Sequence, residues 1–198
     1  MKKGFLLSLA VYAITTFLIS CNQTGNMVTE VNHNETTPTD SIAQQLQLLD
    51  SLNNSGNLIH LDIYNIGKIK SISFSVHALE VEGKAIQYIN LRKDVGNEYY
   101  YNWEDARILP NECQYLLTAI QTIKENSERA TNHEERYAYI TKDDIRIFSV
   151  NNGGGNKWKI ALSIDYRKDR SEITLTEEEL DTFVSLINQG LAKIAEIM

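Results

Sequence analysis

Basic residues are few in this chain and are not gathered in any one segment. Lysine and arginine number 19 against 26 aspartate and glutamate, which gives a formal net charge of −7 at pH 7. Nucleic-acid binding needs concentrated positive charge to neutralise phosphates, and broad docking on anionic lipid needs the same. The composition therefore argues against both, and no nucleic-acid partner is expected.

Residues that ligate metals or act as catalytic bases are also scarce. The chain has four histidines and two cysteines, and no spacing typical of a metal site links them. His133-Glu134-Glu135 lacks the second histidine that a metalloprotease helix requires. The sequence contains no recognisable nucleophile–base set or paired-acid motif either. We therefore predict no metal site, no cofactor and no catalytic residues.

The longest apolar run, Gly4–Leu18, is too short to span a bilayer as a helix. A span needs roughly 20 predominantly apolar residues, whereas this run is shorter and is interrupted by two adjacent threonines. Lys2 and Lys3 precede it and supply positive charge at one end only. This order of charge and apolar run is typical of a cleavable signal peptide, which we place at residues 1–20.

The residues that close this segment, Leu18-Ile19-Ser20-Cys21, resemble the lipobox of bacterial lipoproteins. The resemblance implies cleavage before Cys21 and attachment of diacylglycerol to its sulfur, with fatty acyl chains such as palmitate. Two or three chains anchor a protein stably, whereas one does so only marginally. Cys21 is thus the predicted lipidation site, and the membrane is the predicted partner. Asn22 replaces the aspartate linked to inner-membrane retention, which implies the outer membrane in a Gram-negative host.

The rest of the chain divides by composition. Residues 21–39 are polar and poor in large apolar side chains, so we predict a flexible tether. Residues 40–57 form a short amphipathic helix and a linker, with Asp40 as the helix cap. Residues 58–198 have the patterning of a folded α+β domain. That region also resembles uncharacterised exported bacterial proteins with repeated strand-and-helix units, which implies no residue roles.

In the folded region, apolar residues first recur at every second position and then at helical spacing, and this succession occurs twice. The pattern predicts an α+β fold of two repeated β-β-β-β-α units, about 58–127 and 136–198, with antiparallel sheet and helices packed on one face. The predicted strands are 58–65, 70–80, 84–92, 98–109, 136–141, 144–150, 157–167 and 171–175. The predicted helices are 111–126 and 177–196.

Local similarities between the two halves support the duplication. Ile89–Asp94 aligns with Ile164–Asp169, and Phe74–Val76 aligns with Phe148–Val150. Four positions of the two helices also align: Glu112 with Glu179, Leu116 with Phe183, Leu117 with Val184, and Ile120 with Ile187.

The face of the sheet that points away from the helices is the candidate binding surface. On the second strand, polar Ser71, Ser73, Ser75 and His77 alternate with Ile72, Phe74, Val76 and Ala78. Polar residues also alternate on the following strand and at the corresponding positions of the second repeat. The predicted binding residues are His77, Tyr88, Asn90, Arg92, Asp165 and Arg167.

Several other features have structural explanations. Cys113 aligns with Leu180 on a buried helical stripe, so it is predicted to be a core residue. Thr176 and Glu179 match a capping box, and 151–156 has the Asn and Gly residues of a hairpin loop. The aromatic cluster of Tyr99–Tyr101 and Trp103 is predicted to pack in the core, with stacking on a sugar or an extended partner as the alternative.

These features predict an envelope lipoprotein whose folded domain binds or supports an assembly without catalysis. An envelope protein or a glycan is the expected partner. One alternative is an envelope enzyme acting on glycan through carboxylates that converge only in space. The other is a protein inhibitor or chaperone that docks a partner on its sheet face or strand edge.

Overall fold

Strands and helices follow one another in the order that the periodicity predicts. The computed structural model describes residues 38–53, 56, 59–81, 84–96 and 102–198, so the predicted signal peptide and lipidation site lie outside the described residues. The elements are α1 Pro38–Asn53, β1 His60–Ile69, β2 Ile72–Val81, β3 Lys84–Asp94, β4 Trp103–Ile108, α2 Pro110–Ser127, β5 Glu134–Ile140, β6 Arg146–Asn152, β7 Trp158–Ser163, β8 Glu172–Leu175 and α3 Glu177–Ile197.

The eight strands form two four-stranded antiparallel sheets. Sheet 1 has the order β1-β2-β3-β4 and sheet 2 the order β5-β6-β7-β8, so each strand pairs with its neighbour in the chain. Each sheet is followed by one long helix, which confirms the predicted α+β fold of two β-β-β-β-α units. Helix α1 begins two residues before the predicted cap, so Pro38 and Thr39 are helical and do not belong to the tether.

The two repeats share one hydrophobic core. Helix α3 follows sheet 2 but packs across β1, β2 and β3 of sheet 1, whereas α2 follows sheet 1 and contacts β5 and β6 of sheet 2 as well as β3. Inward-facing residues of both sheets and both helices belong to a single buried cluster. Each repeat therefore contributes the helix that covers strands of the other.

The helix alignments of the duplication are confirmed. Leu116 and Phe183 are both fully buried, as are the aligned Cys113 and Leu180. Burial, with the nearby Glu112 carboxyl as a second cause, raises the pKa of the Cys113 thiol to about 12. The prediction of a core cysteine therefore holds.

The predicted capping box at the start of α3 is also present. The Thr176 hydroxyl accepts a hydrogen bond from the Glu179 backbone N–H, and the Glu179 carboxylate accepts one from the Thr176 N–H. Glu112, at the same helical position of α2, instead accepts a hydrogen bond from the Lys142 backbone N–H at 2.7 Å. Burial raises the pKa of this carboxyl.

The strand alignments of the duplication are wrong in register. Ile108 and Leu175 both end the last strand before a helix, and they pair with Ile89 and Ile160 respectively. The structural counterpart of Ile89 is therefore Ile160, and not Ile164 as the sequence motif suggests.

The same reasoning corrects the alignment of Phe74. It pairs with Leu91, whose counterpart Leu162 pairs with Ile147. Phe148 is one residue further along, so its side chain points to the opposite face of the sheet from Phe74.

The third strand of the second repeat is shorter than predicted. We expected a strand over 157–167, but β7 ends at Ser163. The Asp165 carboxylate accepts a hydrogen bond from the Arg167 backbone N–H at 3.0 Å, which closes an aspartate turn and ends the extended backbone. Asp165 and Arg167 therefore lie in a turn and not on a sheet face.

Among the described residues, no helix has the length and apolar character needed to cross a membrane.

Candidate functional site

Polar side chains of three strands stand on the outer surface of sheet 1, on the side away from α3. Alternation places every second residue of a strand on this side. Strand pairing places Asn90 between Ser75 and Arg107 and places Arg92 opposite Asp105. We call this surface the polar face of sheet 1; it comprises Ser73, Ser75, His77, Tyr88, Asn90, Arg92, Trp103, Asp105 and Arg107.

Helix α1 covers one end of this surface. Its apolar side chains form a second buried cluster with the outward-facing residues at that end: Ile42, Leu46, Leu49, Leu79, Tyr88 and Leu109, with Ile59 and Ile86 at the margin. This sheet face is therefore not open to solvent at the α1 end. Beyond the helix, a groove of about 360 Å³ remains open, lined by Leu49, Asp50, Leu61, His77, Leu79, Tyr88, Asn90, Arg92, Asp105, Arg107 and Asp143.

Asp105 holds two neighbouring side chains of β3 in fixed positions. Arg92 donates to both of its carboxylate oxygens, at 2.7 Å and 3.1 Å. Asn90 donates its amide N–H to one of the same oxygens at 3.0 Å. The hydrogen bond with Asp105 raises the pKa of Arg92. A bidentate pair fixes the planes of both groups, which suits directional hydrogen bonding to a ligand.

Arg107 joins three parts of the chain at the floor of the groove. It donates to the two carboxylate oxygens of Asp143 at 3.0 Å each and to Asp50 of α1 at 2.8 Å. Asp143 lies in the turn between β5 and β6, so the second repeat also contributes to the site. Burial lowers the pKa of Arg107, but the hydrogen bonds with Asp143 and Asp50 outweigh it and raise that pKa above its usual value.

His77 lies in a chain of hydrogen bonds on the same surface. Its Nε2 is 3.0 Å from the Ser75 Oγ and its Nδ1 is 3.2 Å from the Tyr88 hydroxyl. Burial, and then the positive charge of Arg92, lower the pKa of this imidazole, which favours the neutral ring. A neutral ring has one donor and one acceptor nitrogen, and both have a partner here.

The Ser75–His77 contact corrects one premise of the sequence analysis, which recognised no nucleophile–base pair. Both residues lie on β2 two positions apart, so alternation alone places them on the same face. Within the described residues, no group of three or more His, Cys, Asp or Glu could hold a metal ion.

Trp103 stands at the open end of the polar face and is 54% exposed. The expectation that it packs in the core is therefore wrong; the rest of that aromatic cluster, Tyr99–Tyr101, lies outside the described residues. The Arg92 guanidinium lies 5.2 Å from the centroid of the indole ring, at cation–π distance. A half-exposed indole beside fixed polar groups can stack on a ligand.

Four of the six predicted binding residues meet at the groove, namely His77, Tyr88, Asn90 and Arg92. Asp165 and Arg167 do not line it. Asp165 accepts from Arg167 Nε at 3.0 Å and lies 3.1 Å from the Lys168 ammonium, while Arg167 also pairs with Asp144 at 2.7 Å. The hydrogen bond from Arg167 is the largest cause that lowers the pKa of Asp165 to about 2. This network stabilises the turn after β7.

Four charged residues of the groove were not predicted from the sequence. Asp105 and Arg107 alternate on β4 and could have been identified from strand pairing. Asp50 and Asp143 belong to a helix and to a distant turn, and no local pattern links them to this sheet.

The chain is not similar to any known protein family, to any curated protein or to any solved structure.

Proposed function

We propose that this chain is a lipid-anchored envelope protein whose folded domain binds a hydroxyl-rich ligand, a glycan, on the polar face of sheet 1. The observation that carries the proposal is the combination of fixed polar groups with the half-exposed indole of Trp103. The anchor rests on the lipobox-like Leu18-Ile19-Ser20-Cys21 segment, whose modification would place the domain at the membrane surface.

A glycan matches the chemistry of this face. The charges of Arg92 and Arg107 are already met by carboxylates, so the face offers hydrogen-bonding groups with little excess charge. Sugar hydroxyls both donate and accept, and they pair well with carboxylate oxygens and with guanidinium and amide N–H groups. The apolar side of a sugar ring can rest on the indole of Trp103.

A catalytic function has one specific observation in its favour, the contact between Ser75 and His77. Acyl transfer needs such a pair together with N–H donors aimed at a developing oxyanion. Strand β2 pairs with β3 throughout and with β1 on both sides of a register shift that lies opposite Ser75 and Phe74, so most of its backbone N–H groups are engaged in the ladders of sheet 1. This arrangement favours binding over hydrolysis.

Titration of the full chain carrying Cys21→Ser with soluble envelope glycan fragments tests the proposal. We expect saturable binding that Trp103→Ala weakens roughly three- to tenfold, because stacking on an aromatic ring contributes about 0.5–1.5 kcal/mol. Tyr115→Ala is the matched control, since Tyr115 is a similarly exposed aromatic residue on α2. Equal weakening by both variants, or no binding at all, would contradict the proposal.

The same samples distinguish an enzyme from a binding protein. Incubation with the glycans and with a simple ester should leave the substrates intact over hours. Turnover that is abolished by Ser75→Ala would establish the catalytic alternative instead. Mass spectrometry of the native mature protein tests the anchor separately, because an unmodified thiol at Cys21 would exclude it.

A further inference from the structure

Sheet 2 presents an outer surface of a different kind. Three cationic side chains from three adjacent strands surround a hollow of about 290 Å³: Arg136 of β5, Arg146 of β6 and Lys159 of β7. Ala138 and Phe148 form its floor, and Glu172 of β8 stands at one side. We call this surface the basic face of sheet 2; it comprises Arg136, Ala138, Arg146, Phe148, Lys159 and Glu172.

Strand register explains why the cations converge. Arg136 pairs with Val150, which pairs with Lys159, so the two cations stand in one row across the sheet. Ala138 and Phe148 form the next row, and the small alanine leaves the depression. Arg146 belongs to the third row, and its guanidinium lies over the Phe148 ring at 4.4 Å from the centroid.

Negative charge is in short supply at this surface. Glu172 is 2.9 Å from the Lys159 ammonium and 3.6 Å from Arg146, so a single carboxylate serves two cations. Arg136 has only an exposed contact of 3.5 Å with Glu134, which does not line the hollow.

Arg146 of the basic face has an incompletely hydrogen-bonded guanidinium. Its Nε is removed from solvent and has no hydrogen-bond partner among the described residues. The Glu172 carboxylate lies 3.6 Å from its Nη2, which is too far for a good hydrogen bond, so Glu172 competes only weakly with an oxyanion for this guanidinium.

We propose that the basic face of sheet 2 binds a small soluble phosphate monoester. Arg136, Arg146 and Lys159 carry three positive charges against the one negative charge of Glu172. The excess of two matches a phosphate monoester, which carries about −1.5 to −2 at pH 7. The apolar floor accepts the organic group of the ester, and the hollow is of a size for a small molecule. This site is separate from the polar face of sheet 1 and does not depend on its function.

The test is a calorimetric titration of the full chain carrying Cys21→Ser with phenyl phosphate. We expect saturable binding that Arg136→Gln weakens at least about tenfold, because the substitution removes a charge-assisted hydrogen bond to the phosphate. Arg136 is well exposed, so this variant should fold normally; Arg146→Gln should weaken binding at least as much. Lys157→Gln is the matched control, since it removes one exposed positive charge outside the hollow.

Each contrary outcome has a clear meaning. Equal weakening by Lys157→Gln would show attraction by general charge and would overturn the proposal. Tighter binding of benzoate than of phenyl phosphate would assign the hollow to a carboxylate and overturn the phosphate assignment. Binding to vesicles containing anionic lipid, with none to phenyl phosphate, would show a membrane-docking surface instead of a small-molecule site.

Discussion

The outer surfaces of the two sheets have the same strand topology and opposite electrostatic organisation. On sheet 1, each arginine is matched by carboxylates: Arg92 by Asp105, and Arg107 by Asp143 and Asp50. On sheet 2, Arg146 and Lys159 share Glu172, and Arg136 pairs only with Glu134, which lies outside the hollow. Helix α1 covers part of the first surface, and none of the described helices has a comparable contact with the second.

This difference separates the role of the fold from the role of the surface. The inward-facing residues of both sheets build one core and dictate the repeated topology. The outward-facing residues are free to differ because they do not enter that core. A surface with matched charges holds its polar groups in place for a neutral ligand, whereas a surface with unmatched cations attracts an anion.

The largest expected effect is the loss of unfolding free energy when an arginine is replaced on either surface. Arg107→Gln removes the guanidinium that binds the half-buried Asp143, which keeps only the hydrogen bond from the backbone N–H of residue 107, and it removes the link to Asp50. We expect a loss of about 2–3 kcal/mol, below the full cost of breaking a buried pair because both side chains are partly exposed. The same substitution at Arg146 should cost less than about 1 kcal/mol, since its carboxylate contact is long and shared. Urea unfolding of both variants measures the difference.

Equal losses for Arg107→Gln and Arg146→Gln would break the comparison. That result would show that the carboxylates of sheet 1 do not hold their arginines more firmly than Glu172 holds Arg146. A neutral ligand on sheet 1 and an anionic ligand on sheet 2 would then no longer follow from the charge pairing.

A second difference lies on the inner side of the sheets. Gly190 of α3 aligns with Ile123 of α2, and the glycine lets α3 approach sheet 1 closely. A Cβ at position 190 would lie 2.6 Å from Ile89 Cδ1 and 2.9 Å from its Cγ1. Gly190→Ala should therefore destabilise the protein by about 1–3 kcal/mol through overpacking, reduced somewhat by the better helix propensity of alanine.

Gly154→Ala is the control for that substitution, because a Cβ there meets only the flexible Lys157 side chain at ordinary distance. We expect little change in its unfolding midpoint. If Gly190→Ala proved as stable as Gly154→Ala, the close approach of α3 to sheet 1 would be incorrect.

The smallest effect concerns acid sensitivity, which we assign to the polar face of sheet 1. Burial lowers the pKa of His77, so well above pH 6.5 the ring is neutral in both the folded and the unfolded state and contributes no pH dependence. As the pH falls through 6.5, the unfolded chain takes up this proton more readily than the folded one, and stability decreases. His77→Gln should remove this part of the decrease, as urea midpoints at pH 7.5 and pH 5.5 would show.

An unchanged decrease in His77→Gln would assign the acid sensitivity to other groups. The basic face of sheet 2 has no histidine among its lining residues, so substitutions there provide the reference. Arg136→Gln should leave the difference between the two pH values as it is in the unsubstituted chain.

Local patterns predicted the elements well and the relations between them only in part. The apolar stripes of α2 and α3 align correctly, because helical spacing fixes the buried positions over several turns. The aligned strand motifs failed because a shift of one residue, as at Phe148, moves a side chain to the opposite face of the sheet. The exchange of helices between repeats depends on the shared core, which no local window contains.

The same limits apply to the groove. His77, Tyr88, Asn90 and Arg92 were predictable from alternation on two neighbouring strands. Asp143 joins them only because the β5–β6 turn of the second repeat lies beside sheet 1. Asp165 and Arg167 were expected on a strand because their motif resembles that of β3, but an aspartate side chain ends β7 before them.

The central claim is that the polar face of sheet 1 is the ligand-binding surface. A backbone amide NMR titration of the full Cys21→Ser chain with a soluble envelope glycan fragment tests it most directly. We expect shifts that saturate together at five residues of this face, with the basic face of sheet 2 unaffected: His77, Asn90, Arg92, Trp103 and Asp105. Saturating shifts confined to other parts of the chain, or no shifts at these residues at any glycan concentration, would contradict it.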